Sequence, residues 1–206
     1  MMTPVLDDWN IVLVGAWNTR IFNIAWLGEF IFPGSTVNAY VSLVPGLPTK
    51  IAAENIEVIP TEERLLIRPT RADEETIQRL EDKSKEILRL LSHTPVRAVG
   101  VNMTYRTDSP TADLLKVFAL SDDPLFLENE LRCNSCSISR AFPLNAGTMN
   151  LILTQVPGAV DLQFNFHSDV ENAEQARNYL ETRIVPCKQR SLEIARTIYR
   201  LELGED

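Results

Sequence analysis

The feature that most limits what this chain can fold into is an order of hydrophobic patterns that runs through it twice. A strand-like run, a helical stretch, three further strand-like runs and a long amphipathic helix occupy residues 10–91, and the same order returns over residues 97–203. Residue identity between the halves is low, so the repeat is one of periodicity. Residues 11–17 form an apolar run of the kind a strand shows when buried on both faces. Their counterpart, residues 96–105, alternates: Val99, Val101, Met103 and Tyr105 share one face, and Ala98, Gly100, Asn102 and Thr104 the other.

Residues 37–44 correspond to 136–144, and the runs 56–59 and 64–67 correspond to 149–155 and 160–167. Pro60-Thr61-Glu62-Glu63 and Val156-Pro157-Gly158-Ala159 place chain-bending residues between the members of each pair, which predicts two hairpins. Each hairpin feeds a helix. Asp73 stands as a capping residue ahead of Glu74 and Glu75, and Ile77, Leu80, Ile87, Leu88 and Leu91 make an apolar stripe. After Asp169, Ala173, Ala176, Leu180 and Ile184 make another, with a kink or restart predicted at Pro186 because proline lacks the helical donor. Leu192, Ala195, Ile198 and Tyr199 continue that stripe. Ser109-Pro110 predicts a further helix start, and Asp122-Asp123-Pro124 a restart running through Glu130.

These patterns predict an α+β fold. Its sheet is largely antiparallel, built from two pseudo-repeated β-α-β-β-β-α halves at about 9–95 and 96–204, with the long helices packed on one face. A chain of 206 residues without a Gly/Ser-rich linker is expected to be a single compact domain over residues 1–206. In topology alone the arrangement resembles saddle-shaped folds such as that of TATA-binding proteins. No residue match accompanies that resemblance, and a net charge of −8 makes a nucleic-acid partner unlikely, because such binding rests on neutralising phosphates.

No apolar run approaches the roughly 18 residues of a membrane span, and Met1-Met2-Thr3-Pro4 does not open a signal peptide, so no membrane partner and a cytoplasmic location are expected. Three cysteines fit a reducing compartment better than a disulfide framework. Cys133 and Cys136 form a single C-x-x-C that could hold zinc or cycle as a thiol pair, with His167 and Cys187 as further ligands if the fold gathered them. Free cysteines are more often small core residues, and no cofactor is called for.

Catalytic signals are sparse. The chain has two histidines, His93 and His167, and contains no nucleophile elbow, phosphate-binding loop, H-E-x-x-H or dinucleotide fingerprint. Asp161, Gln163, Asn165 and His167 share one strand face, which is either the solvated side of a sheet or the floor of a ligand-binding or hydrolytic cleft. Residues 20–32, read as a helix, put Phe22, Trp26 and Phe30 in one row beside Ile24, Leu27 and Ile31. Aromatic rows at helical spacing are commonly core, yet this one is apolar over more than half its circumference and could present a second face to a partner. The leading expectation is therefore a non-enzymatic interaction or assembly subunit that engages a protein partner or another copy of itself. A ligand-binding protein or hydrolase, and a zinc- or thiol-dependent protein, are the alternatives.

Overall fold

The computed structural model describes residues 1–44 and 46–204; Pro45, Glu205 and Asp206, all within the expected domain span, lie outside the described residues. In chain order the elements are β1 (Thr3–Pro4), β2 (Asn10–Gly15), α1 (Ile24–Trp26), β3 (Asn38–Tyr40), β4 (Lys50–Ala53), β5 (Ile56–Pro60), β6 (Arg64–Pro69), α2 (Glu74–Leu90), β7 (Val96–Thr107), α3 (Ala112–Leu115), α4 (Asp123–Glu128), β8 (Cys136–Leu144), β9 (Gly147–Val156), β10 (Ala159–Asp169), α5 (Ala173–Leu180) and α6 (Ile184–Tyr199). One antiparallel sheet runs in the order β3-β4-β5-β6-β2-β7-β10-β9-β8, with the short β1 added to β7. The α+β class and the large antiparallel sheet agree with the sequence.

Strand alternation decides where the core lies. Ile11 and Leu13 on β2, Leu65 and Ile67 on β6, Val99, Val101, Met103 and Tyr105 on β7, and Leu162, Phe164 and Phe166 on β10 are all buried and stand on one face by register. α2 packs on that face against β6, while α5 and α6 reach β7 and touch α2. Ile77, Leu80, Ile87 and Leu88 of the predicted stripe are buried there, and Leu91 is half-buried. Asp73 caps α2 as expected: its carboxylate accepts from the Thr76 backbone N–H at 2.8 Å and from the Thr76 hydroxyl at 3.0 Å. Both predicted hairpins form, with Gly158 supplying the positive φ that the Pro157-Gly158 turn requires.

The structure corrects the first half in two places. The strand expected over residues 37–44 shrinks to β3, and β4 takes the place beside β5 instead. The β4–β5 turn, Glu54-Asn55, has positive φ at both residues (52° and 63°), a type I′ pattern ordinarily written with glycine. Residues 20–32 are not one α-helix. A 3₁₀ turn at Thr19–Ile21 precedes α1, whose last turn widens into a π-turn at Leu27–Ile31. Asn23 caps α1 by accepting from the Trp26 N–H at 3.0 Å, so the helix starts four residues later than periodicity suggests. The first half therefore lends five strands to the sheet (β2 to β6) and the second four (β7 to β10).

Two helix starts in the second half also move. Thr111, not Ser109, caps α3 by accepting from the Leu114 N–H at 3.2 Å. The break expected at Pro186 falls at residues 181–183, and Pro186 becomes the third residue of α6, where a missing N–H costs nothing. The cause is Glu81, a buried carboxylate on α2. It accepts from the backbone N–H groups of Thr182, Arg183 and Ile184 at 2.9, 2.8 and 2.9 Å, and pairs with Lys85. One helix thus caps another across the layer.

Candidate functional site

The sheet face turned away from the helices carries the most organised polar chemistry of the chain. Asn10 on β2, Asn102 on β7, Asn165 on β10 and Asn150 on β9 stand in lateral register across four adjacent strands. Their amides form one directed chain. Asn150 donates to Asn165 Oδ1 at 3.0 Å, Asn165 donates to Asn102 Oδ1 at 2.6 Å, and Asn102 donates to Asn10 Oδ1 at 2.7 Å. Asn10 ends the chain on the Asp8 carbonyl at 3.1 Å, and the Asn150 amide also lies 3.3 Å from His167 Nδ1. Each amide polarises the next, and the side chains are only half-buried, so the row is held in place while facing solvent.

Gly100 opens space beside this row. It sits opposite His167, and a Cβ there would lie 3.4 Å from Asn165 Nδ2. A shallow hollow of about 300 Å³ adjoins the row, lined by Asn10, Asn102, Thr104, Gln163 and Asn165 with Asp8 at its rim. Next to it the Ser137 and Thr154 hydroxyls bond across β8 and β9 at 3.0 Å. The amides and the Thr104 hydroxyl share the hollow with Ile152 and Phe164, and amides recognise polar groups through directional donors and acceptors.

Of the four residues expected to line a cleft, Gln163 and Asn165 meet at this hollow and His167 stands at the end of the amide chain. Asp161 does not join them. Its carboxylate is held by two bonds from Arg106, both 2.7 Å, and this pairing holds the Arg106 guanidinium above its already high pKa. Six residues of strand place Asp161 about 20 Å from His167, too far to act on one bond.

The aromatic row divides. Phe22 is core at 5% exposed, Trp26 is half-buried, and only Phe30, at 43%, presents a face to solvent. The rings still form a ladder from Trp17 through Phe22 and Trp26 to Phe30, with centroid spacings of 5.9, 5.7 and 6.0 Å.

Cys133 is exposed and its thiol donates to the Ser135 carbonyl at 3.1 Å, while Cys136 begins β8 half-buried. The fold does not gather the two further ligands. Cys187 is buried in α6, where burial pushes its thiol up to about 12, and His167 belongs to the opposite face of the sheet. Among the described residues no three His, Cys, Asp or Glu side chains are grouped to hold a metal ion. No helix among the described residues is long and apolar enough to cross a membrane.

Sequence reasoning missed Asn10, Asn150 and the role of Asn102. Alternation on β7 and β9 puts Asn102 and Asn150 on polar faces, but their meeting depends on a register set by pairings of residues far apart in the chain. No protein-family model matches the chain, and no curated protein matches it either.

Proposed function

We propose that this chain is a non-catalytic interaction subunit whose working surface is the uncovered face of the sheet. The asparagine row carries this reading: four half-buried amides are aligned and hydrogen-bonded into one chain, beside a hollow that no helix among the described residues fills. Such a row supplies fixed donors and acceptors for a polar partner surface at little entropic cost, because its side chains are ordered before binding. The reading includes a cytoplasmic protein that engages protein surfaces in preference to nucleic acid, in keeping with its net charge of −8. It also includes a duplicated origin. Strand order supports this, since β6-β2 and β7-β10 flank the same central seam and each half closes on a helix.

The test is a comparison of proteins recovered with tagged wild type and with an Asn102→Ala/Asn165→Ala variant, quantified by mass spectrometry. Partners that depend on the row should fall at least tenfold with the variant and persist with Phe30→Ala. An identical set of recovered proteins for wild type and the double variant would sink the proposal. The hollow favours a second reading, a small polar ligand held by Gln163, Asn165 and His167. Ligand-induced shifts of the Asn165 and Gln163 side-chain amide resonances in a metabolite screen would support it. Hydrolysis draws no support from an Asp161 already engaged by Arg106.

A further inference from the structure

The open sheet face makes no use of the C-x-x-C pair, and the fold gives that pair a setting that spacing alone does not. Cys133 and Cys136 line one cleft of about 450 Å³ beside the start of β8, walled by Phe118, Leu120, Phe126, Leu127 and Leu131. Cys133 is exposed and Cys136 half-buried, so one thiol is open to a solute and the other is shielded. The Cys133 sulfur lies 3.1 Å from the Ser135 carbonyl oxygen, and that carbonyl is bonded to the Cys136 nitrogen, which puts the sulfur within about 6 Å of the Cys136 Cα. Residues 133–135 are exposed and lie outside any helix or strand, so rotation there brings sulfur toward sulfur without unpairing β8. Cys187 is buried in α6 and does not line the cleft.

We infer that Cys133 and Cys136 form a reversible dithiol–disulfide site whose substrate is a small disulfide with an apolar body. Exchange runs in two steps. The Cys133 thiolate, its proton released to water, attacks one sulfur of R–S–S–R; the S–S bond breaks and one R–S⁻ leaves with the electron pair. The Cys136 thiolate then attacks the Cys133 sulfur of the mixed disulfide and expels the second R–S⁻. The leaving thiolates take up the two protons, so two cysteine thiols are oxidised to one disulfide while one R–S–S–R is reduced to two R–SH. Exposure assigns the roles, with Cys133 attacking first and Cys136 resolving. The apolar walls of the cleft receive the R group and set the preference. Among the described residues Asp123 is the one charged residue lining the cleft. Its carboxylate accepts from the Leu120 N–H at 2.8 Å, and it adds to a net charge of −8 that repels an anionic disulfide. In the reducing compartment that three cysteines suggest, such a bond is transient, as disulfides there are when they sense or pass on oxidising equivalents. The site uses neither the asparagine row nor its partner, so either can fail alone.

The probes are dithiodipyridine, which is neutral and aromatic, and oxidised glutathione, which is anionic; a synthetic peptide of residues 129–140 supplies the same thiols without a cleft. Treated with dithiodipyridine, the full chain should yield after trypsin a peptide of residues 133–140 lighter by two hydrogen atoms, because Arg132 and Arg140 bracket both cysteines. Dithiothreitol should reverse the change, and Cys187 should stay unmodified. Cys136→Ser should stop at a mixed disulfide on Cys133, and Cys133→Ser should react roughly tenfold more slowly or worse. The rate with dithiodipyridine relative to oxidised glutathione should exceed the peptide's ratio by roughly tenfold. Leu127→Asp should bring that ratio down to the peptide's. Circular dichroism reports whether the variant keeps its fold, and Leu131→Asp repeats the test if it does not. Thiols that stay reduced, adducts that persist on both cysteines, a disulfide between chains, a Cys133→Ser variant as fast as wild type, or a rate ratio equal to the peptide's would each overturn the inference.

Discussion

At the scale of single residues, the buried carboxylate of Glu81 shows how one side chain sets a boundary that local sequence does not mark. It closes three free N–H groups of α6 from a different helix, so Glu81→Ala should cost about 2 kcal/mol in urea unfolding, and Glu81→Gln, which keeps one acceptor, about half as much. Hydrogen bonds from Thr76 depress the Asp73 carboxyl below 3.8, and those from Arg89 depress the Glu86 carboxyl below 4.5. Their contribution is present above those unfolded values and is lost as pH falls through the lower folded ones. Cys187 works in the opposite sense. Its folded pKa, pushed up to about 12 from 9.0, makes its contribution complete below pH 9 and lost as pH climbs toward 12. Stability measured by denaturant titration should thus fall at both ends, and Cys187→Ala should flatten the alkaline limb by up to one proton's worth of slope, about 1.4 kcal/mol per pH unit.

At the scale of elements, the hairpins separate conformational cost from steric cost. Gly158 (φ 80°) has open space around it, and Gly147 (φ 95°) does not, because a Cβ there would run into the His167 carbonyl oxygen. Gly158→Ala should destabilise by about 1 kcal/mol, the cost of holding an alanine at positive φ, while Gly147→Ala should cost about 3 kcal/mol by the same thermal-unfolding measurement. Periodicity revealed β7, β9, β10 and α2 because each has one buried and one open face. It failed where an element owes its limits to something else. β4 is four residues long and enters through a turn built on Glu54 and Asn55, residues that only rarely occupy two successive left-handed positions. The aromatic segment reads as one helix in sequence, but Asn23 and the π-turn divide it, and that division buries Phe22 and turns Phe30 outward.

At the scale of the whole molecule, β2 and β7 form the seam where the halves meet, and α2 packs on α5 and α6 across it. A chain ending at residue 95 would leave β2 with one unpaired edge and α2 with a bare apolar flank. Such a fragment should lack a cooperative thermal transition by circular dichroism, and a fragment that unfolds cooperatively would show that the halves are separate domains.

Sequence alone determined the class of the fold, the faces of its longest strands, the cap of α2 and the turn at Pro157-Gly158, because each depends on side chains within a few residues of one another. Tertiary structure alone decided that Asn10, Asn102, Asn165 and Asn150 meet, that Asp161 is occupied by Arg106, that Glu81 starts α6, and that His167 and Cys187 stay apart from Cys133 and Cys136. Those outcomes follow from strand register and from the packing of helices on the sheet, and both are fixed by contacts between residues far apart in the chain, where a period of two or of 3.6 carries no information.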